Sequence, residues 1–348
     1  MTETNQSTVL ESLKAVKYPG FSRDIISFGL VKEVQVQGDL VDIQMVLTTN
    51  EPAIARQIQE ETKKVVQSLP GISRVEVKID IQAPAAPTSS VAAPVEGVKH
   101  IIAVASGKGG VGKSTVAANL AIALQQTGAA TGVCDCDLYG PSIAMMFGSN
   151  EKPTADEENR IIPIERYGLR LMSMGFLLSD DSPAVLRGPM VTRYTQQFLR
   201  QVLWGNLDYL ILDLPPGTGD IQLTIVQTVS LAGAVIVTTP QEVALADARK
   251  AVAMFSKTGV NILGIVENMS YFQSPSDNVR YDIFGSGGGQ REAARLQVPL
   301  LGEIPIEMSI REAGDMGCPA IQKYPDSATA QSFIKIAQSI RNKVERNA

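Results

Sequence analysis

The segment at residues 107–115 constrains the possible folds of this chain more than any other part of its sequence. It reads Gly-Lys-Gly-Gly-Val-Gly-Lys-Ser-Thr and matches the spacing of a phosphate-binding loop, which ends in Gly-Lys-Ser. The glycines let successive backbone N–H groups converge on phosphate oxygens. The second lysine places a positive charge at the β- and γ-phosphates, and the serine hydroxyl can ligate Mg²⁺. The predicted nucleotide-binding residues of the loop are Gly107, Lys108, Gly109, Gly110, Val111, Gly112, Lys113, Ser114 and Thr115.

The segments on either side of the loop have the patterns of a strand and a helix. Residues 101–105 form an apolar run typical of a buried strand, and residues 116–126 are rich in alanine and leucine. Further apolar strands alternate with helical segments, and polar residues such as Asp135, Asp213 and Asn268 follow them. This order predicts an α/β fold with a mostly parallel, doubly wound sheet. Ligands of such sheets bind outside the carboxyl ends of the strands.

A segment rich in proline and alanine at residues 83–98 divides the chain in two. It contains three prolines and mostly small side chains, which is typical of a linker. The smaller part, residues 1–82, predicts the element order α-β-β-α-β and hence a small α+β domain. That part contains no cysteine or histidine, so we interpret it as a docking or regulatory module. Residues 99–348 form the larger predicted α/β domain.

Composition argues against several functional classes. The formal net charge of −5 argues against a broad nucleic-acid surface, and no apolar run is long enough to predict a membrane span. The single histidine, His100, excludes a histidine-rich metal site within one chain. Three cysteines and no recognisable secretory signal lead us to expect a cytoplasmic protein with reduced thiols.

Acidic residues follow two of the predicted strands. Asp213 suits a partner of Mg²⁺, usually through water, and lies four residues before Gly217, whose backbone N–H we expect near the γ-phosphate. Asp135 and Asp137 are two residues apart, so their carboxylates lie on the same side of an extended chain. We favour Asp137 for orienting the attacking water and Asp135 for the surroundings of Mg²⁺, which gives Ser114, Asp135 and Asp213 as the predicted metal set. The alternative is that one of the pair caps the helix that follows.

Several short motifs follow one another along the larger part of the chain. They are Gly-Lys-Gly-Gly-Val-Gly-Lys-Ser at 107–114, Asp-Cys-Asp-Leu-Tyr-Gly-Pro-Ser at 135–142, Arg-Gly-Pro-Met at 187–190, Asp-Leu-Pro-Pro-Gly-Thr-Gly-Asp at 213–220, Thr-Thr-Pro-Gln at 238–241, Glu-Asn-Met-Ser-Tyr-Phe at 267–272 and Ile-Phe-Gly-Ser-Gly-Gly-Gly at 283–289. From about residue 98 to residue 325 the chain resembles the Mrp-type iron–sulfur cluster carrier ATPases, close relatives of the Nbp-type scaffold proteins. Residues 1–82 are similar to the small iron–sulfur-assembly domain often fused ahead of these ATPases.

The resemblance implies a deviant P-loop NTPase fold and a homodimer that binds and hydrolyses ATP with Mg²⁺. Lys108 resembles the early lysine of that group, which reaches the nucleotide of the opposing subunit, so Lys108 joins Lys113 and Asp137 as a predicted catalytic residue. The resemblance further implies transfer of [4Fe–4S] clusters to apoproteins and contact between Asn268 and the adenine. The amide of Asn268 suits this role independently, because it can donate to and accept from an adenine edge at once.

The chain departs from the family at the expected cluster ligands. Family members often contain Cys-x-x-Cys after the Tyr-Phe pair, whereas Ser274 and Asp277 occupy those positions here. Neither side chain is a usual ligand of iron–sulfur clusters, which favour thiolates. We expect Cys134 and Cys136 to act as small buried apolar residues, which leaves Cys318 as a speculative ligand that would need others beside it.

Three other functions stay open on this sequence. The missing cysteine pair favours an adaptor that uses ATP only as a dimer switch and binds no cluster. A partition or positioning ATPase needs a nucleic-acid surface or a membrane-binding tail; the candidate tail is the apolar stripe within residues 327–344, although such a stripe usually packs on its own domain. A reductase needs cysteines flanking the dimer interface, which we do not find.

Overall fold

The computed structural model describes residues 5–16, 24–26, 30–48, 52–82, 93–177 and 188–347. The chain divides into two compact units, Met1–Ser89 and Ser90–Ala348. Most of the predicted linker, at residues 83–92, lies outside the described residues, and so does Arg187 of the motif at 187–190.

The first unit consists of two helices and a three-stranded sheet. Its elements are α1 (Gln6–Leu13), β1 (Val31–Gln37), β2 (Leu40–Thr48), α2 (Pro52–Gln67) and β3 (Arg74–Gln82). This order confirms the predicted α-β-β-α-β arrangement. Strand β2 lies in the middle of the sheet, antiparallel to β1 and parallel to β3. The helices and strands share one core, which includes Val9, Leu13, Val34, Val41, Ile43, Ile58 and Val66.

Helix α1 begins earlier than its apolar pattern predicts. Periodicity alone places the helix at residues 9–16, whereas the observed helix begins at Gln6. The side chain of Asn5 caps it by accepting a hydrogen bond from the backbone N–H of Thr8 at 3.0 Å. A hydrophobic pattern does not detect such a polar first turn, yet the cap satisfies an N–H group that has no partner within the helix.

The second unit is built on a large sheet. Its strands are β4 (Val98–Ala105), β5 (Thr131–Asp135), β6 (Thr154–Ala155), β7 (Ile161–Ile162), β8 (Ile164–Arg166), β9 (Leu169–Met172), β10 (Leu207–Asp213), β11 (Gly233–Thr238), β12 (Ile262–Glu267), β13 (Phe272–Gln273), β14 (Arg280–Tyr281) and β15 (Leu300–Glu303). The main sheet has eight strands in the order β15-β12-β11-β4-β10-β5-β9-β8. Neighbouring strands are parallel except β8 and β9, which confirms the mostly parallel sheet.

Helices cover both faces of this sheet. They are α3 (Lys113–Gln126), α4 (Ile143–Met146), α5 (Gly188–Arg200), α6 (Asp220–Thr228), α7 (Glu242–Lys257), α8 (Gly288–Leu296), α9 (Met308–Asp315), α10 (Ala320–Lys323) and α11 (Ala328–Asn347), with a 3₁₀ turn at Met174–Phe176. On β4, Ile102 and Val104 belong to the core layer of α3 and α11, whereas Ile101 and Ala103 belong to the layer of α5 to α8. Burial on both faces explains why residues 101–105 of β4 are a continuous apolar run, and it confirms the doubly wound arrangement.

The apolar stripe near the C-terminus belongs to the core of the second unit. Phe333, Ile336, Ile340 and Val344 lie in α11, and each is at most 3 % exposed. They share a core layer with α3, so these side chains are not available as a membrane-binding face. Within the described ranges, no helix is both long and apolar enough to cross a lipid bilayer.

Candidate nucleotide site

The loop at residues 107–115 connects the carboxyl end of β4 to the first turn of α3. Gly110 and Gly112 have φ angles of 81° and 78°, a left-handed conformation that disfavours side chains. Gly107 is required for space, because a Cβ there would collide with the backbone carbonyl of Asp247 in α7. The loop therefore places its backbone at the N-terminus of a 14-residue helix, where negative phosphate groups are favoured.

The buried side chain of Lys113 forms an ion pair with Asp213, the last residue of β10. Its ammonium contacts Asp213 Oδ1 and donates a hydrogen bond to Ser114 Oγ at 3.2 Å. Burial raises the pKa of Asp213, and the charge of Lys113 opposes that shift. The ammonium therefore contacts both Ser114 and Asp213, two of the side chains that the sequence predicts as partners of Mg²⁺.

The donors around this ion pair fit a magnesium ion. Asp213 Oδ2 is buried and has no hydrogen-bond partner in the part of the chain that the structure describes. Mg²⁺ prefers oxygen ligands and commonly combines one or two protein groups with phosphate oxygens and water. The Ser114 hydroxyl and the free oxygen of Asp213 would hold the ion, and a bound Mg²⁺ neutralises charge that develops on the phosphates.

Asp135, the last residue of β5, forms several hydrogen bonds and is fully buried. Its donors, at 2.9–3.2 Å, are the backbone N–H groups of Asp137, Ser142 and Ile143 and the hydroxyl of Ser173. Asp135 thus caps the short helix α4, which is the alternative role considered for one of the two aspartates. Burial and the nearby charge of Asp213 raise the pKa of Asp135 to about 7.

Asp137 is half-buried and lines a cavity of about 240 Å³ beside the loop. Its Oδ1 accepts a hydrogen bond from the backbone N–H of Gly140 at 3.3 Å. The N–H of Gly217, expected near the γ-phosphate, donates here to the carbonyl of Ser106 at 3.0 Å. The structure brings Asp137 to the same cavity as the loop, and the other lining residues are Ser106, Lys108, Gly109, Gly110, Gly112, Lys113, Ser114, Thr115 and Pro216.

Asn268 follows β12 and contacts the loop directly. Its side chain is almost fully buried, and its Nδ2 donates a hydrogen bond to the carbonyl of Val111 at 2.9 Å. A Cβ at Gly112 would collide with the same nitrogen. The backbone N–H of Asn268 donates to the carbonyl of Thr238 at 2.8 Å, which fixes the residue at the carboxyl edge of the sheet.

The sequence alone assigns no role to two further polar residues at this edge. Ser173 donates to Asp135, and Glu267 is a fully buried carboxylate directly before Asn268. For Glu267 a signal does exist: a charged residue at the end of a buried apolar strand is costly unless it is hydrogen-bonded, so its presence indicates a specific role. For Ser173 no local pattern distinguishes it from other serines.

The cysteines divide into a buried pair and one more accessible thiol. Cys134 and Cys136 are fully buried in the layer of α5 to α8, with their Sγ atoms 3.8 Å apart. The hydrogen bond to Cys134, together with burial, raises the pKa of the Cys136 thiol well above its usual value. A raised pKa disfavours the thiolate that metals bind. Cys318 lies in the loop after α9 and is half-buried.

The positions at which the resemblance implies Cys-x-x-Cys lie at the tip of a hairpin. Ser274 and Asp277 lie between β13 and β14; Ser274 is half-buried and Asp277 is exposed. The backbone N–H of Ser274 donates to the carbonyl of Val279 at 2.9 Å, and Asp277 Oδ1 accepts from the N–H of Val279 at 3.2 Å. Among the described residues, no group of three or more histidine, cysteine, aspartate or glutamate side chains is arranged to hold a metal ion.

Comparison with protein families gives two matches that together span most of the chain. A family model described as NUBPL iron-transfer P-loop NTPase matches residues 97–341, and one described as iron–sulfur cluster assembly protein matches residues 6–79. The chain belongs to the NUBPL iron-transfer P-loop NTPase family. This family match covers the loop, Asp135, Asp213, Asn268 and the hairpin, and it confirms the resemblance inferred from the motifs.

Individual relatives in this family are similar along much of their length. An iron–sulfur cluster carrier protein of Synechocystis sp. is 46 % identical over 345 residues, which cover 98 % of each chain. The mouse iron–sulfur cluster transfer protein NUBPL is 48 % identical over 249 residues, covering 71 % of this chain and 78 % of that protein. A nucleotide-binding protein of Archaeoglobus fulgidus, solved in complex with ADP, is 40 % identical with a TM-score of 0.59, covering 66 % of this chain and 90 % of that one.

Proposed function

We propose that this chain is an ATP-hydrolysing carrier that transfers iron–sulfur clusters to apoproteins. The observation that supports this most directly is the cavity lined by Lys113 and Ser114 of the phosphate-binding loop and by Asp137. The chain has this cavity within the region that matches the iron-transfer family model. Relatives that align over nearly its whole length are named as iron–sulfur cluster carriers.

Five polar side chains at this edge of the sheet each have one role in the proposed hydrolysis. Lys113 exchanges its ion pair with Asp213 for the β- and γ-phosphates when nucleotide binds. Ser114 and Asp213 would hold Mg²⁺, with Asp213 acting through water. Asp137 orients the attacking water, and Asn268 contacts the adenine edge.

Asp135 supports this site by holding neighbouring backbone groups in place, and its carboxylate oxygens already accept hydrogen bonds. It accepts hydrogen bonds from the backbone of Asp137 and from the first turn of α4. Those bonds hold Asp137 at the cavity and keep the surroundings of Mg²⁺ in place. Asp135 is therefore included in the proposed metal environment, although its oxygens are already occupied in this state.

A second copy of the chain completes the proposed site. Lys108 lines the cavity near its mouth and is half-buried in one copy. A lysine supplied by the facing subunit adds positive charge at the γ-phosphate only when two subunits close. We therefore propose a homodimer whose hydrolysis depends on closure, with no role for nucleic acid or membrane.

The cluster is cargo in this proposal, and one chain supplies few of its ligands. Cys318 is the more accessible thiol, and one per subunit binds a bridging cluster only together with ligands from the client or from small thiols. The clients are apoproteins, and the proposed compartment is a cytoplasm that keeps thiols reduced. Residues 1–82 form the docking or regulatory module, joined through residues 83–98 to the ATPase domain at 99–348.

Anaerobic reconstitution with iron and sulfide tests the proposal. We expect the reconstituted protein to show cluster absorbance and, with ATP, to activate an apoenzyme that requires [4Fe–4S]. Lys113→Ala serves as the matched variant, because it removes the phosphate partner while leaving every cysteine in place. We expect it to bind ATP about 10- to 100-fold more weakly, since hydrogen bonds to charged groups are worth about 1.5–3 kcal/mol, and to take up cluster normally.

The hairpin tip supports a second candidate function, a cluster-free adaptor in which ATP only controls dimer closure. Its support is that Ser274 and Asp277 offer a hydroxyl and a carboxylate where thiolates are expected. A protein that hydrolyses ATP, stays colourless after reconstitution and activates no apoenzyme would favour the adaptor over the carrier.

A further inference from the structure

Glu267, the last residue of β12, is a fully buried carboxylate beside Asn268. It forms no ion pair with any lysine or arginine that the structure describes. Its carboxylate instead accepts two hydrogen bonds: the hydroxyl of Ser270 donates to Oε1 at 2.6 Å, and the backbone N–H of Gly289 donates to Oε2. A buried charge is costly unless it is hydrogen-bonded, so these two bonds account for the presence of this side chain.

The first of these bonds closes the turn that presents Asn268. Met269, the next residue, has a φ angle of 52°, a left-handed conformation that residues with side chains rarely adopt. The turn is fixed on its far side as well, because the backbone N–H of Ser270 donates to the carbonyl of Ile304 at 2.9 Å. The bond between Ser270 and Glu267 therefore ties the two ends of this unfavourable turn together.

The second bond fixes the start of α8 to the same carboxylate. Gly289 is the second residue of α8, so the negative charge of Glu267 lies at the positive end of the helix. A Cβ at Gly289 would lie 2.8 Å from Glu267 Oε2, and a Cβ at Gly288 would lie 2.6 Å from the carbonyl of Pro240. These glycines let the helix start pack tightly on the ends of β11 and β12.

We propose that Glu267 is the positioning residue for base recognition, and that it holds Asn268 in the orientation that contacts the adenine. This inference rests on the role of Asn268 in the proposed function. Glu267 acts through its two hydrogen bonds rather than through its charge. Phosphate binding depends on it less than base binding does, because the loop that includes Lys113 is shaped by β4, α3 and α7 and is contacted by Asn268 only at Val111 and Gly112.

The test compares affinities for Mg–ATP, Mg–GTP and Mg–tripolyphosphate, the last of which probes the phosphate cradle without a base. We expect Glu267→Ala to weaken ATP binding about tenfold and to narrow the preference for ATP over GTP, with tripolyphosphate binding changed by less than about twofold. Glu267→Gln should bind like the wild type. Its amide oxygen accepts from Gly289, and the Ser270 hydroxyl can reverse to accept from its amide N–H.

A matched control is available in Glu307, outside the residues that line the nucleotide cavity. Its carboxylate accepts hydrogen bonds from the hydroxyls of Thr329 at 2.6 Å and Ser309 at 3.0 Å. Glu307→Ala therefore removes a similar pair of bonds, and we expect it to leave the ratio of ATP to tripolyphosphate affinity unchanged. Ser270→Ala is a milder variant that removes only one bond, with an expected loss of about threefold in ATP affinity; it decides the test if Glu267→Ala does not fold.

The outcomes separate this inference from the proposed function. Equal losses for ATP and tripolyphosphate in Glu267→Ala, or a Glu267→Gln variant as weak as the alanine variant, would overturn the positioning role. If Asn268→Ala changes the ATP to tripolyphosphate ratio while Glu267→Ala and Ser270→Ala do not, only the inference about Glu267 fails. If Asn268→Ala leaves that ratio unchanged, the adenine contact in the proposed function is wrong.

Discussion

The phosphate-binding loop and the hairpin tip both follow strands of the same unit, yet they are built in opposite ways. At the loop, Lys113 and Asp213 are buried and bonded to each other, and the backbone positions are fixed by glycines and by contact with α7. At the hairpin tip, Ser274 is half-buried and Asp277 is exposed, and both are bonded mainly to neighbours within the same turn. Contacts with distant parts of the fold fix the conformation of the loop, whereas hydrogen bonds within the turn fix that of the tip.

This difference shows what each region can contribute chemically. Binding a triphosphate requires charges and N–H groups held in place before the ligand arrives, and a buried setting strengthens those interactions. The hairpin tip offers no such preorganised set among the described residues, and it lacks the thiolates that clusters favour. One copy of the chain is therefore equipped to bind a nucleotide, but not to bind a cluster at the hairpin.

The largest expected effect is on ATP turnover, and it would show that the catalytic site of one subunit needs a lysine from the other. We expect Lys108→Ala to slow ATP turnover on the order of a thousandfold, the scale on which a charge supplied in trans acts in related reactions, while ATP affinity stays near that of the wild type. Single-turnover hydrolysis and equilibrium binding measure the two steps separately. Equal damage to both steps would mean that Lys108 acts within its own subunit.

A smaller effect concerns the buried ion pair. Lys113 contacts the two side chains proposed to hold Mg²⁺, so the metal and the lysine compete for them. We expect Asp213→Asn to release Lys113, to strengthen nucleotide binding in EDTA about threefold, and to abolish the gain that Mg²⁺ gives the wild type. Titrations with and without Mg²⁺ check this. A variant with wild-type dependence on Mg²⁺ would contradict the role given to Asp213.

The pH dependence of stability tests whether burial raises the pKa of Asp135. Asp135 has a pKa of about 7 in the fold, raised from 3.8, so the folded state binds more protons than the unfolded chain between these values. The contribution of Asp135 is fully present at low pH and is lost as pH rises through this window. We expect the free energy of unfolding of the wild type, relative to Asp135→Asn, to fall between about pH 4 and about pH 7 and then to level off. Urea titrations across this range measure it; a difference that rises with pH would contradict the assignment.

The smallest expected effect belongs to the hairpin tip. We expect Ser274→Ala combined with Asp277→Ala to change the free energy of unfolding by less than about 0.5 kcal/mol and to leave ATP affinity unchanged. Neither side chain is fully buried, and both are bonded only to neighbours within the same turn. Thermal unfolding and nucleotide titration check both points. A marked loss of ATP affinity in this variant would remove the contrast between the two regions.

Much of the fold follows from the sequence because its signals are local. The apolar runs of β4, β10, β11 and β12 identify the parallel strands, and the polar residues that follow them identify the functional edge. The short strands β6 to β9 are not identified in this way, since two to four residues are too few to show a period. The antiparallel edge strand β8 is set by pairing with β9, which is a tertiary contact.

The site is predictable only where residue type dictates the chemistry. The loop, Asp213 and Asn268 have recognisable neighbours in sequence. By contrast, the bonds of Asp135 to α4 and Ser173 depend on how distant segments meet, so the sequence leaves its roles as cap and metal neighbour unresolved. The ion pair between Lys113 and Asp213 joins residues 100 positions apart, and no local pattern reveals it.

The position of α11 in the chain has a consequence for how the protein is made. This helix follows every strand of the main sheet in chain order, and its apolar stripe fills the layer beside α3. During synthesis the phosphate-binding loop therefore leaves the ribosome long before α11, the helix that covers the core layer beside α3. The nascent ATPase unit exposes the inner surface of α3 until α11 emerges, and apolar surface exposed in this interval favours aggregation.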